Sequence, residues 1–177
     1  MRARPEIQHI DETQLIAAFP QPPVSSDRAF AWQTNLMQNG LTYSVTVNPD
    51  YPFALRSPNI TRRCYIAECD RGTMPVKRRM RSGDIDLEKT SIVRKFLAYI
   101  HGFNEGMHDR QFGWKAFRIL FITTTPERAD NMRKALQELT PARTLRRIFY
   151  FSTIESLATD VLAHQWIDGN DEPQLLI

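Results

Sequence analysis

An α/β fold, with a mixed central sheet flanked by helices, is predicted by three features of this sequence. Short strand-like runs follow one another closely between Thr42 and Asp70. A strongly amphipathic stretch occupies Leu87 to Asn104. From Phe117 onward, apolar strand-like runs alternate with helix signals, an order that implies crossover connections and partly parallel pairing.

The elements are read in chain order. Residues 1–26 hold Pro5, Pro20, Pro22 and Pro23 around the apolar Leu15–Phe19, so a short helix near Glu12–Ala18 is expected within an extension or linker. Asp27 to Gln38 reads as a helix, with Asn39-Gly40 as its stop. Thr42–Val47 alternates and is rich in β-branched residues, which predicts a strand. After the turn signal Asn48-Pro49-Asp50, Phe53–Leu55 is a short second strand. Pro58-Asn59 turns the chain again, and Cys64–Asp70 is the third strand of an expected antiparallel meander. In Leu87–Asn104, Ile92, Phe96, Tyr99 and Phe103 recur at helical spacing. Phe117–Thr123 is a continuous apolar run of the buried parallel type. Thr125-Pro126-Glu127 starts a helix by capping, by proline at the first position and by a carboxylate at the positive dipole end. Ile148–Phe151 is a further strand, and Ser152 with Glu155 forms a capping box for a last helix that turns Leu157, Val161 and Leu162 inward. The α/β domain is expected over 27–169, and the tail 170–177 reads as loose.

The 177 residues suffice for one domain with a sizeable core. The pI of 9.0 leans basic. From Arg62 to Arg81 there are six arginines and one lysine against two acids, a balance that suits a phosphate-bearing partner. No apolar run spans a bilayer and no signal-peptide core is present, so no membrane association is expected. Cys64 and Cys69 on one strand lie on opposite faces, about 16 Å apart, beyond disulfide reach. Two free thiols and a reducing, cytoplasmic setting follow. His9, His101, His108 and His164 pair with no cysteine at zinc-site spacing.

The stretch Tyr65–Asp70 begins as a buried strand and ends in acids. Ile66, Glu68 and Asp70 share a face by the period of two, and the acidic end falls at the carboxyl edge of the sheet, where open α/β sheets place ligands. Asp50 begins the neighbouring strand, so Asp50 and Glu68 are expected to meet at that rim. Carboxylates sharing a small space repel unless a cation intervenes, and Mg²⁺ or Mn²⁺ is the natural remedy. The alternative is structural ion pairing with neighbours such as Arg63 or Arg71.

Pro49-Asp50, followed by Glu68-Cys69-Asp70, resembles the pattern of the PD-(D/E)xK nuclease superfamily. The stretches VNPDYPFAL, YIAECDRGTMPV, SIVRKFLAYIHG and RILFITTTPERADNMRKAL are similar to those of the plasmid replication-relaxation family of mobile-element proteins. The resemblance implies a restriction-endonuclease-like αβββαβ core with an extra C-terminal αβα. It makes Asp50 the first metal-binding aspartate and Glu68 the acidic member of (D/E)xK. Asp70 stands where a lysine is expected and is a further candidate ligand. Lys95, on the following helix, supplies the ammonium from another position, as in superfamily members with a displaced lysine. Tyr99, one turn further on the same face, lines the site. Relatives of that family commonly begin with a winged-helix DNA-binding domain, for which the stretch before Thr42 is too short. A stand-alone domain and a part of a longer product both remain open.

The expected function is therefore a Mg²⁺- or Mn²⁺-dependent phosphodiesterase acting on DNA. Asp50, Glu68 and Asp70 hold metal, Lys95 and Tyr99 complete the site, and Arg71, Lys77, Arg78, Arg79 and Arg81 hold backbone phosphates. The alternative is an inactive nuclease-fold adaptor that binds DNA or a protein of the replication machinery or host; Trp32, Phe112 and Trp114 are its contacts if exposed, although such aromatics more often belong to core or satellite packing.

Overall fold

Two apolar strands lying parallel organise the sheet. The computed structural model describes residues 6–23, 25, 28–158 and 160–177. Strands β6 (Phe117–Thr123) and β7 (Phe149–Thr153) pair in parallel, and β5 (Ile60–Cys69) pairs in parallel with the other edge of β6. Such strands are covered on both faces, which explains their nearly unbroken apolar character. Antiparallel strands extend both sides. Strand β4 (Tyr51–Ser57) pairs with β5 and with the short β1 (Gln8–Ile10). On the other side β8 (Trp166–Asp168) pairs with β7, and β9 (Pro173–Gln174) with β8. The result is a mixed seven-stranded sheet in the order β1-β4-β5-β6-β7-β8-β9.

Alternation along the central strands divides the core. Cys64, Ile66, Phe117, Ile119, Phe121, Phe149 and Phe151 face the helices α2 (Ile92–Asn104) and α4 (Pro126–Leu139). Tyr65, Ala67, Leu120 and Tyr150 face the other way, onto Trp166 and Leu176. Ser91 caps α2, accepting from the Arg94 N–H at 3.2 Å. Thr125 caps α4 as the sequence predicts, accepting from the Arg128 N–H at 3.2 Å with Pro126 in the first turn. Three shorter helices occur among the described residues: α1 (Glu12–Ile16), α3 (Met107–Phe112) and α5 (Arg143–Arg146).

Four expectations are corrected. The helix expected over 27–38 is a strand, β2 (Trp32–Gln38), and Asp27 itself lies outside the described residues. Asn39 and Gly40 both take positive φ, 52° and 76°, and join Gln38 directly to its partner Leu41. That is a hairpin turn and not a helix stop, because two left-handed residues match the twist of the flanking strands. Thr34 and Leu36 point inward while Gln33, Asn35 and Met37 are exposed, the alternation of a strand. Consequently β3 (Leu41–Val47) pairs with β2 in a separate two-stranded sheet and not with β4, whose free edge β1 occupies. The three-strand meander is thus only a two-strand hairpin, β4–β5.

Among the described residues, the last helix expected after Ser152 does not form. Ser152 and Thr153 extend β7, and the Ser152 hydroxyl bonds His164 Nε2 at 2.7 Å instead of capping. Leu157, Val161 and Leu162 still pack inward, carried by turns. The tail after Gly169 is ordered by β9 and by Leu176, whose side chain is buried and whose carbonyl accepts from Tyr65 and Arg63. Phe112 and Trp114 are buried in the helix-side core, so neither is an exposed contact, and the Trp32 side chain lies outside the described residues.

Candidate functional site at the carboxyl edge of the sheet

Strand β5 carries its acids to the sheet edge on the helix side. Tyr51 pairs with Ala67, so Asp50, one residue earlier, holds the ladder position opposite Glu68. The two differ in environment. Asp50 is exposed, and its Oδ2 accepts from the Cys69 N–H at 2.8 Å. Glu68 is only 1% exposed.

A buried carboxylate needs compensation. Lys95, from the second turn of α2, brings Nζ to 2.5 Å from Glu68 Oε2. Tyr99, one turn along, donates its hydroxyl to Glu68 Oε1. The two residues act together because positions i and i+4 share a helix face. Burial pushes the Glu68 carboxyl above its usual range. The Lys95 ammonium and the Tyr99 hydroxyl oppose the rise, and the Asp50 charge adds to it. Burial, with the Glu68 charge beside it, pushes the Tyr99 hydroxyl well above its ordinary value, so Tyr99 remains a donor.

Asp70 has a different fate. Its neighbour across the parallel ladder is Thr123, which donates to Oδ2 at 2.7 Å. Arg128 binds both oxygens, Nε to Oδ2 at 2.5 Å and Nη2 to Oδ1 at 2.9 Å, and also donates to the Met74 carbonyl. Burial works to raise the Asp70 carboxyl, but the hydrogen bonds from Arg128 and Thr123 prevail and hold it below the usual range. The fork geometry of guanidinium and carboxylate makes this a strong pair. Of the three acids, Asp50 and Glu68 are brought together and Asp70 is drawn to α4. Its partner is Arg128 and not Arg63 or Arg71. Among the described residues, no group of three or more His, Cys, Asp or Glu is arranged to hold a metal ion. A cation at this edge would rest on Asp50 and Glu68.

Arg128 and Thr123 were not foreseen. Their signal was present: a strand ending at Thr123 and a helix capped at Thr125 place both beside the end of a strand paired in parallel. What was lacking was the knowledge that β5 and β6 are neighbours.

The basic segment after Asp70 is fastened at several points. The carbonyls of Pro75 and Val76 accept from the N–H groups of Ile92 and Val93, which satisfies the first turn of α2. Lys77 pairs with Glu138 on α4. Arg78 Nε donates to the Thr90 carbonyl at 3.1 Å, and Arg79 Nη1 to the Gly83 carbonyl at 2.5 Å. Arg71 and Arg81 are exposed and make no hydrogen bond or ion pair among the described residues. A small cleft of about 120 Å³ joins the two regions, lined by Glu68, Asp70, Arg71, Thr73 and Lys95 among others.

Comparison of the chain with protein-family models, curated proteins and solved structures gives no match. Among the described residues, no helix is long and apolar enough to cross a membrane.

Proposed function

We propose that the chain is a DNA-acting, nuclease-like domain of the PD-(D/E)xK kind, resembling the replication-relaxation proteins of mobile elements. In this reading Asp50 and Glu68 hold Mg²⁺ or Mn²⁺ and Lys95 supplies the ammonium. The observation that carries it is the 2.5 Å approach of Lys95 Nζ to Glu68. An ammonium delivered from α2 stands in for the lysine that Asp70 replaces. The strand pair β4–β5, followed by α2 and by β6 parallel to β5, agrees with the later part of an αβββαβ core. The separate β2–β3 hairpin departs from it.

The donor set fits a hard cation. Mg²⁺ takes one or two carboxylates and fills its shell with water and phosphate oxygens, and Asp50 and Glu68 meet that need. The bound ion would polarise a phosphate and supply a nucleophilic water at neutral pH. The side chains of the chain do the rest. The Cys69 N–H fixes the Asp50 carboxylate, and Tyr99 orients Glu68 from below. Lys95 moves from Glu68 toward the charge that develops on phosphorus-bound oxygen. Exposed Arg71 and Arg81 hold flanking phosphates without reading bases, with Arg78 and Arg79 beside them.

A second reading is favoured by one observation. Both Glu68 oxygens are already engaged by Lys95 and Tyr99, and Asp70 is neutralised by Arg128. Such a closed set suits an adaptor that keeps the fold, binds DNA or a replication or host protein, and does not turn over. A nicking assay on supercoiled plasmid, with and without Mg²⁺ or Mn²⁺, separates the two. Metal-dependent cutting that Asp50→Ala and Glu68→Ala each reduce by several orders of magnitude supports the nuclease. Absence of cutting on single-stranded, duplex and branched DNA supports the adaptor.

A further inference from the structure

Three arginines sit at the end of the sheet opposite to Asp50 and Glu68, and none has a carboxylate partner among the described residues. Arg62 and Arg63 are the third and fourth residues of β5, and Arg118 is the second residue of β6. Together with Lys115, Tyr150 and Gln174 they line a cavity of about 560 Å³. No Asp or Glu lines it. Four arginines elsewhere bind acids: Arg128 binds Asp70, Arg133 binds Asp130 and Asp171, and Arg143 and Arg147 bind Glu172. In the cavity Arg63 donates to the Leu176 carbonyl at 3.0 Å and to the Tyr65 hydroxyl. Arg118 reaches the Phe117 carbonyl at 3.0 Å and the Tyr150 hydroxyl at 3.4 Å. Arg62 reaches the Gly113 carbonyl at 3.4 Å.

The geometry points to a phosphate-binding site in this cavity, one that takes two adjacent phosphate groups through Arg62, Arg63, Lys115 and Arg118. Arg62 and Arg118 are half-buried, and a guanidinium withdrawn from water without an anion is left partly uncompensated. Guanidinium forks match phosphate oxygens in charge and geometry. The cavity is of the size that holds small ligands. Lys115 is held only by a surface pair with Asp109, its side chain 87% exposed, so it is available to a second anion. Two sources offer this chemistry: a free diphosphate and the successive phosphodiesters of a polynucleotide. The site uses neither Asp50 nor Glu68 and stands or falls apart from the nuclease reading.

Isothermal titration calorimetry on the full chain tests it, with sodium pyrophosphate in one arm and a short unstructured oligothymidylate in the other. A chelator in both arms excludes any contribution from a divalent cation at the Asp50 edge. Saturable binding is expected in at least one arm. Arg118→Gln should weaken it about tenfold or more, since it removes a charge-assisted pair. Lys115→Gln should weaken it a few-fold, and at so exposed a position it leaves the fold intact. Pyrophosphate binding that responds in this way identifies a free diphosphate as sufficient, whereas binding of the oligonucleotide alone identifies a strand backbone. Either result supports the site. Absence of saturable binding in both arms overturns it. So does binding that folded Arg118→Gln, or Lys115→Gln if the first variant does not fold, leaves at wild-type strength.

Discussion

Lys95 Nζ lies 2.5 Å from Glu68 Oε2, although the residues belong to different elements and stand 27 positions apart. The pair links the start of α2 to the end of β5 across the edge where Asp50 also sits. Glu68 is almost fully buried, while the Lys95 side chain is 28% exposed. Removing the ammonium therefore harms Glu68 more than removing the carboxylate harms Lys95. Lys95→Ala should lower stability by about 2 kcal/mol, because it leaves a buried carboxylate without its countercharge. Adding Glu68→Gln should recover part of that loss. Urea denaturation of the single and double variants measures both.

The same lysine should separate binding from turnover. If the chain cuts DNA, Lys95→Ala should reduce the cleavage rate by about a hundredfold or more, as for other groups that act on developing charge. DNA affinity should change little, since such an interaction is made chiefly in the transition state. Single-turnover cleavage beside equilibrium binding checks the split.

Asp70 predicts an acid limit. Arg128 and Thr123 hold its carboxyl below its unfolded value, so the charged form is favoured by folding. This stability is fully present above about pH 4, the unfolded aspartate range, and is lost as pH falls through the lower folded value. Asp70→Asn should lower stability at neutral pH and flatten its decline in acid. Urea midpoints measured from neutral to acid pH for wild type and variant show it.

Among the described residues Arg71 and Arg81 make no hydrogen bond or ion pair, unlike Lys77, Arg78 and Arg79. Reversing the charge at both should leave thermal stability within about 0.5 kcal/mol. It should weaken DNA binding and reduce the steepness of its salt dependence by about two contacts. Affinities measured across a salt series decide this, and an unchanged slope assigns the loop to fastening α2 and α4.

Gly169 marks where the chain was expected to loosen, yet it is tightly packed. A Cβ there would meet the Arg146 carbonyl at 2.6 Å and Leu136 Cδ2 at 2.7 Å. Gly169→Ala should cost about 1–3 kcal/mol through overpacking against backbone. Thermal unfolding checks it, and a neutral result would mean that α5 shifts freely.

Features that depend on local chemistry were legible in the sequence. The apolar run Phe117–Thr123 needed no partner to be recognised, nor did the Thr125-Pro126 cap or the helical stripe containing Phe96 and Tyr99. The shared face of Glu68 and Asp70 followed from the two-residue period of a strand. Tertiary structure decided what those faces meet. Asn39-Gly40 ends a helix or closes a hairpin equally well by local rules, and the packing of Leu36, Val45 and Val47 on the core chose the hairpin. Glu68 and Asp70 are chemically alike and two residues apart. Glu68 lies under α2 and receives Lys95 and Tyr99, whereas Asp70 lies under α4 and receives Arg128. A carboxylate is assigned by the countercharge that long-range packing brings within hydrogen-bond reach. Strand order and helix placement set that distance, and neither is written in the few residues around the acid.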